Sequence, residues 1–345
     1  MPTYNDDGDD EDEDDDEHTD LVHHDEATLA PHTPRQRLFA KAQNYVKAGR
    51  ASNTQRAYRH GVQLYVDWCA EVEFPPEPIT PTKVALFATT LAETGRAWST
   101  ISVALSAIDY SLKLRGLDPV RTSREVAEVC AGIRRVHGTA QRGAQPITVE
   151  QLRTICESLT GPAAVRDRAL LLLGFSGAFR RSELTGLVVG DLTREENGYV
   201  VRLRRSKTDQ TGQGMMKGIP FGGRAITCPV RALDGWLAAR ESGGQPPEPS
   251  APLFLRFSPC CPRSTGLTDQ SVNRVVKARM KAAGFDVANY SGHSLRAGFV
   301  TAAAKAGKRL DLIMTQTGHR NVETVMRYIR HVELFRENPA EGLGL

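Results

Sequence analysis

The sequence predicts a mainly α-helical protein of two domains: an all-helical bundle, then a mixed α+β domain of helices with a small β-hairpin or sheet. Three observations predict it. At 345 residues the chain is longer than one hydrophobic core usually serves. Apolar residues recur at helical spacings through most of its length, while one short alternating stretch near residue 200 reads as a strand. A Gly-rich polar segment, residues 138–146, ends in proline and reads as a linker between the two patterns.

Residues 1–34 open with DDGDDEDEDDDE and hold few apolar side chains. Such a block cannot bury enough surface to offset its ordering entropy, so a disordered acidic tail is expected, either simply solvated or competing with a polyanion for the protein's own basic face. The helical domain is expected over residues 35–137. In its first helix Tyr58, Val62, Tyr65 and Cys69 form one apolar stripe, with Arg56, Arg59, His60 and Gln63 off it and Ser52 as a cap. PPEPITP breaks the chain before a helix over Thr82–Thr94. Ile101, Leu105, Ile108 and Leu112 mark the next helix, behind a Ser99 cap, and a fourth covers about Ser123–Val136.

The second domain, 147–345, opens on a capping box formed by Thr148 and Gln151. Helices are expected at about 148–158 and 163–175, the latter an apolar core helix around LLLLGF, followed by a short helix carrying RRSEL. YVVRL, 199–203, alternates like a half-buried strand, and the turn SKTDQTGQG leads to a second strand ending near Phe221, which makes a hairpin. Helices return at about 229–241, 269–283, 294–306 and 321–330.

Charge points to the partner. Fourteen of the 41 acidic residues lie within residues 1–26, and the first basic residue is Arg35. The rest of the chain therefore sets 44 basic residues against 27 acidic ones, a surplus of 17 positive charges that suits nucleic acid. No run reaches the 18 apolar residues that a membrane span needs, and the N-terminus carries acids where a secretory signal would carry bases. A cytoplasmic, nucleoid-associated protein is expected. The six cysteines form no C-x-x-C pair and have no histidines at zinc spacing, so reduced thiols are expected; the vicinal Cys260 and Cys261 are the pair open to redox chemistry.

The groups suited to chemistry lie in two places. In Asn289–Arg330 a His-x-x-Arg at His293 and Arg296 precedes a Gly-His at Gly318 and His319, with Tyr328 nine residues beyond that histidine. Arginine offers a permanently charged bidentate fork, imidazole moves protons near neutral pH, and a phenol can act as a covalent nucleophile. Upstream, Arg180 or Arg181 precedes Glu183 in FRRSEL, and the hairpin offers Lys207 in its turn or Lys217 on its far strand. Taken alone, R-x-x-E is a common ion pair, His293 suits a buried structural role, and Tyr328 suits a helix's apolar face.

In this order, Arg-x-x-Glu-Leu, a hairpin with Ser-Lys-Thr at its turn, Gly-His-x-x-Arg, Thr-Gly-His and a tyrosine nine residues on resemble the tyrosine recombinase (phage integrase) family. The likeness spans about residues 147–330, and the upstream bundle and linker are similar to the core-binding, SAM-like domain of its two-domain, Cre-like members. The resemblance implies that Arg180 and Arg296 bind the scissile phosphate, with His293 beside the latter. It implies His319 at a position where the family has His or Trp, Glu183 as the supporting acid, Lys207 as the hairpin lysine and Tyr328 as the nucleophile. Arg56, Arg59, His60 and Arg181 become candidate DNA contacts.

The activity so implied is site-specific cleavage and rejoining of double-stranded DNA through a 3′-phosphotyrosine, with no cofactor, metal or ATP. The partners implied are recombination sites on two duplexes, held by a homotetramer that is a monomer in solution, with Val332, Leu334 and Phe335 as candidate contacts between subunits. Relaxation of supercoils in the manner of a type IB topoisomerase, and noncatalytic DNA binding, are the alternatives; exchange between two sites and a covalent adduct separate them.

Overall fold

The computed structural model describes residues 52–140, 143–204, 214–241, 245–256 and 265–333, with isolated positions at 34, 37, 38 and 41 and the backbone alone at 52, 327 and 330–333. The acidic segment before Pro34, the turn carrying Lys207, the Cys260–Cys261 pair, Leu334, Phe335 and the Val332 side chain lie outside the described residues. Among the described residues no helix is long and apolar enough to cross a membrane. The chain divides into two compact units, Met1–Gln141 and Arg142–Leu345.

Over residues 52–140 of the first unit four helices follow one another: α1 (Ser52–Glu71), α2 (Pro81–Glu93), α3 (Trp98–Leu114) and α4 (Arg124–His137). α2 and α4 start where their sequence supplies a stop or a cap. The Thr80 hydroxyl accepts the Lys83 N–H and Pro81 follows at the first turn; the Ser123 hydroxyl accepts the Val126 N–H. α3 differs from expectation: it begins at Trp98, and Ala97 precedes it with no side-chain cap, so Ser99 lies inside the first turn. The second apolar stripe meets the core as expected, with Ile101, Leu105, Ile108 and Leu112 all buried. Of the first, Tyr65 and Cys69 are buried while Tyr58 and Val62 stay half-buried, and Phe87 sits 5.5 Å from both the Tyr65 and Trp68 rings. α1 packs on α3 and α2 on α4. Arg56, Arg59 and His60 stay exposed on the opposite side of α1.

The second unit is built on α5 (Val149–Ser158), α6 (Ala164–Ser176), α7 (Arg181–Thr185), α8 (Pro229–Arg240), α9 (Asp269–Ala282), α10 (His293–Lys305), α11 (Leu310–Thr317) and α12 (Val322–Glu333). The capping box forms: Thr148 Oγ1 accepts the Gln151 N–H and Gln151 Oε1 accepts the Thr148 N–H. α6 is the central helix, with Ala169–Leu173 fully enclosed against α8 and α10. Its two buried charges, Arg166 and Asp167, are paired to each other, and Asp167 also accepts Arg279 from α9 at 2.6 Å. This pairing meets the cost of burying them. The hairpin is part of a three-stranded antiparallel sheet, β1 (Leu192–Glu195), β2 (Gly198–Leu203) and β3 (Met215–Pro220), in the order β1-β2-β3.

Gly298 decides how α10 is held. A Cβ there would lie 2.2 Å from the Ile147 carbonyl oxygen, so only glycine lets the strap before α5 cross the helix. The Ile147 N–H donates to the Ser294 carbonyl and the Gln145 N–H to that of Asn289. Residues 145–147, which the sequence assigns to the end of the linker and the start of the second domain, are thus tied to α10. Beyond α10, Val300, Ile313, Val325 and Ile329 form a small separate apolar cluster that joins α10, α11 and α12.

Candidate active site

The site is organised by the turn that ends α6. A helix leaves its last carbonyls without intrahelical partners, at the negative end of its dipole. Here three successive carbonyls are met by side chains from three other elements. Gln316 Nε2 on α11 donates to Ser176 at 3.0 Å, Lys217 Nζ on β3 to Gly177 at 2.7 Å, and Arg296 Nη1 on α10 to Ala178 at 2.7 Å. Ala178 itself adopts a left-handed conformation, φ 48°, which reverses the chain before Phe179 and Arg180. That costs a non-glycine residue on the order of 1 kcal/mol, and the bonds on either side hold it.

Arg180 comes next, in an extended conformation at the N-cap of α7. The sequence places Arg180 and Glu183 on one helical face; instead Arg180 stands before the helix and Glu183 folds back to it. Glu183 Oε2 accepts the Arg180 N–H at 3.0 Å, and Oε1 lies 2.5 Å from Nη1. Glu183 is buried, and its second cation is Lys217, 4.0 Å away. Lys217 is 1% exposed, with its amine also 4.5 Å from the centre of the Phe179 ring. Burial pushes this lysine down to about 7; Glu183 opposes that, and Arg296 and Arg180 add to it.

Arg296 is 4% exposed, one turn into α10. Its Nη2 lies 2.9 Å from His319 Nε2, and His319 Nδ1 lies 2.8 Å from the Thr317 hydroxyl, which donates onward to the Ile313 carbonyl. Gly318 makes this possible: it ends α11 at φ 66°, and the chain doubles back so that His319 faces the arginine. Burial pushes Arg296 down to about 10, with Arg180 adding to the effect and Glu183 and Tyr328 opposing it. It stays charged at neutral pH. His319 is pushed down to about 3 by burial and then by Arg296, Arg180 and Lys217, so its ring is neutral there.

His293 is the first residue of α10 and is exposed, three residues before the buried Arg296. The stem of Arg181 lies against Gly292, where a Cβ would come within 2.6 Å of Arg181 Cδ. Tyr328 is half-buried on α12, against the small apolar cluster, with its phenol within electrostatic reach of Arg296. The structure therefore gathers Arg180, Glu183, Arg296, His319 and Tyr328 in the second unit, while Arg56, Arg59 and His60 belong to the first.

Two further neighbours stand here: Lys217, which the sequence offers as the alternative hairpin lysine and the Ser-Lys-Thr motif passes over for Lys207, and Gln316, which no motif singles out. Lys217 shares strand parity with the inward Ile219, and Gln316 sits three residues before His319. Chemically, the arrangement presents two guanidinium groups and a neutral imidazole around one point, a cradle for an anionic oxygen cluster. Among the described residues no group of three or more His, Cys, Asp or Glu is placed to hold a metal ion.

Comparison with known proteins places the chain in a family. A model of the phage integrase family matches residues 145–333, and one of the phage integrase N-terminal SAM-like domain matches residues 43–113. The chain is 35% identical over 313 residues to an integrase/recombinase xerD homolog of Selenomonas ruminantium, covering 88% of this chain and 89% of that one. It is 26% identical over 278 residues to recombinase cre of Escherichia phage P1, covering 75% and 78%. Among solved structures, XerH site-specific recombinase in a post-cleavage complex with a palindromic difH substrate aligns with a TM-score of 0.60 at 18% identity, covering 80% of this chain and 76% of that one. A lambda integrase dimer bound to a COC′ core site aligns at 0.59 and 15%, covering 86% and 77%. The two structures share the fold.

Proposed function

This chain belongs to the phage integrase family, and from that premise we propose that it is a site-specific tyrosine recombinase acting on double-stranded DNA. The observation that carries the reading is the Arg296 side chain. It reaches from the turn presenting Arg180 to His319, with the Tyr328 phenol close enough to act on its charge.

In this reading the Tyr328 oxygen attacks phosphorus, the bond to the 5′ oxygen breaks, and the DNA leaves with a free 5′ hydroxyl while its 3′ phosphate stays on the tyrosine. An ordinary phenol titrates near pH 10 and an alkoxide is a poor leaving group, so both ends need help. Arg180 and Arg296 hold the nonbridging oxygens and stabilise the charge that grows on them. Glu183 holds the Arg180 fork, His319 orients the phosphate, and His293, exposed at the first position of α10, assists the phenol's proton. Lys207 supplies a proton to the departing oxygen. A second strand's 5′ hydroxyl reverses the step and exchanges the strands, conserving the ester's energy.

The remaining assignments follow from the same reading. Residues 35–137 are the core-binding domain, with Arg56, Arg59 and His60, and Arg181 from the second domain, on DNA. Residues 138–146 link it to the catalytic domain, 147–345. The chain works as a tetramer on two duplexes, assembled from monomers, in the cytoplasm.

A pool of nicked duplexes of random sequence tests this directly, because the nick lets the short product diffuse away and traps the adduct. The wild-type chain should become covalently attached to DNA, and sequencing the attached strand should give one site. Tyr328→Phe should bind the same DNA and form no adduct. An adduct that survives in Tyr328→Phe removes Tyr328 as the nucleophile; wild-type protein that binds and never attaches leaves a noncatalytic DNA-binding protein.

A further inference from the structure

We propose that Lys217 is a positioning residue for strand cleavage, holding from β3 the turn that presents Arg180 and sharing the charge of Glu183 with it. The inference rests on the recombinase reading for its effect on cleavage, and on geometry alone for its effect on the turn.

Lys217 pairs with Val201 in the β2–β3 ladder, and strand alternation turns it inward beside Ile219, where an apolar side chain would meet no desolvation cost. Its amine does three things there. It occupies the Gly177 carbonyl, one residue before the left-handed Ala178; it lies 4.0 Å from Glu183 Oε2; and it covers the face of Phe179. Without the ammonium the Gly177 carbonyl becomes an enclosed acceptor with no donor from β3. Glu183 is then left to Arg180 alone, which strengthens that pair and makes the Arg180 fork less available to a phosphate.

The contact also links two working parts. Two residues before Lys217, Met215 closes the ladder opposite Leu203, and the segment that carries Lys207 runs between those two. The next residue, Gly218, gives its carbonyl to Gln316, which also holds Ser176 and lies just ahead of Gly318 and His319. Lys217 and Gly218 thus fasten the base of the hairpin both to the Arg180 turn and to the helix that delivers His319.

The test uses full-length Lys217→Met, which keeps the volume and removes the charge and the donors. Hydrogen–deuterium exchange without DNA reads the turn, and single-turnover cleavage of a nicked duplex carrying the site recovered from the wild-type adduct reads the chemistry. Exchange should quicken in peptides covering residues 174–181 and stay unchanged elsewhere. Cleavage should slow by about tenfold or more, the scale expected when a binding group is displaced by a fraction of an ångström, while duplex affinity holds. Unchanged exchange in 174–181, wild-type cleavage, or a parallel loss of affinity and cleavage would each overturn the proposal. So would loss of protection across the whole second unit, which would make Lys217 a general core residue. If wild-type protein forms no adduct, the recombinase reading fails, and the exchange result still decides whether Lys217 holds the turn.

Discussion

Arg296 Nη2 lies 2.9 Å from His319 Nε2, and a guanidinium has no acceptor, so the imidazole nitrogen must accept. The ring proton is therefore on Nδ1, directed at the Thr317 hydroxyl 2.8 Å away. Without DNA, then, His319 turns a lone pair toward the cradle where a phosphate oxygen would need a donor. Arrival of a phosphate must redirect Arg296 and leave a proton on Nε2, a rearrangement that the neighbouring Thr317 hydroxyl can accommodate by rotating.

The acid side of this arrangement can be measured in the free protein. His319 sits at about 3 when folded, against an ordinary value near 6.5, so the unfolded chain takes up a proton that the folded chain refuses. Its contribution to stability is complete above about pH 6.5 and is lost as pH falls toward about 3. Wild-type protein should lose on the order of 1 kcal/mol more than His319→Gln between pH 7 and pH 5 in denaturant unfolding. Equal losses would show that the ring titrates normally.

Arg296→Lys tests whether geometry or charge matters at this position. The guanidinium reaches the Ala178 carbonyl with one nitrogen and His319 with the other, while an ammonium is a point donor on a different stem. The variant should fold and bind duplex, yet cleave a nicked site about 100-fold more slowly or worse, the cost of removing one preorganised donor. Cleavage within a few-fold of wild type would mean that positive charge alone suffices there.

What the sequence made legible was local. The stripes Tyr58–Cys69 and Ile101–Leu112 are set by side chains three and four residues apart; the second is buried throughout, and the first is buried at Tyr65 and Cys69 and half-buried at Tyr58 and Val62. The capping box at Thr148 is equally short-ranged. α11 is eight residues long, with four apolar side chains crowded into its first five positions and no capping residue to mark its start, and β1 is a four-residue strand paired, among the described residues, with β2. In the site, Arg180, Arg296 and His319 were legible because Glu183, Gly292–His293 and Gly318 give them a recognisable context. The contacts of Lys217 with Gly177 and of Gln316 with Ser176 span 40 and 140 residues, and no local pattern encodes them. Arg180 was misplaced by one position for a related reason: the spacing to Glu183 fits a helix face and a helix cap equally well.

Gly298→Ala should reverse the usual sign of a helix substitution. In an open helix interior, alanine is favoured over glycine by about 1 kcal/mol. At this position the new Cβ meets a backbone oxygen, Ile147 O, at 2.2 Å and the Phe175 ring at 2.9 Å, and no rotamer change moves the carbonyl away. The strap would have to lift and give up its bond to Ser294, at a cost of about 1–3 kcal/mol in unfolding free energy. A variant as stable as wild type would mean that the strap is not held against α10.

The leaving-group step isolates Lys207. In the proposed reaction the 5′ oxygen departs as an alkoxide unless a proton reaches it, whereas sulfur at the same position leaves as a stable thiolate without one. Lys207→Ala should therefore slow cleavage of an ordinary nicked duplex by about 100-fold, within the range for loss of a general acid, and leave binding intact. On a duplex with a 5′-bridging phosphorothiolate the same variant should cleave nearly as fast as wild type. Arg180→Ala should stay slow on both substrates, because the charge on the nonbridging oxygens develops whichever atom leaves. Failure of sulfur to rescue Lys207→Ala would transfer the role of general acid to another residue, and the buried Lys217 would not be the first choice, since its amine is already committed to Gly177 and Glu183.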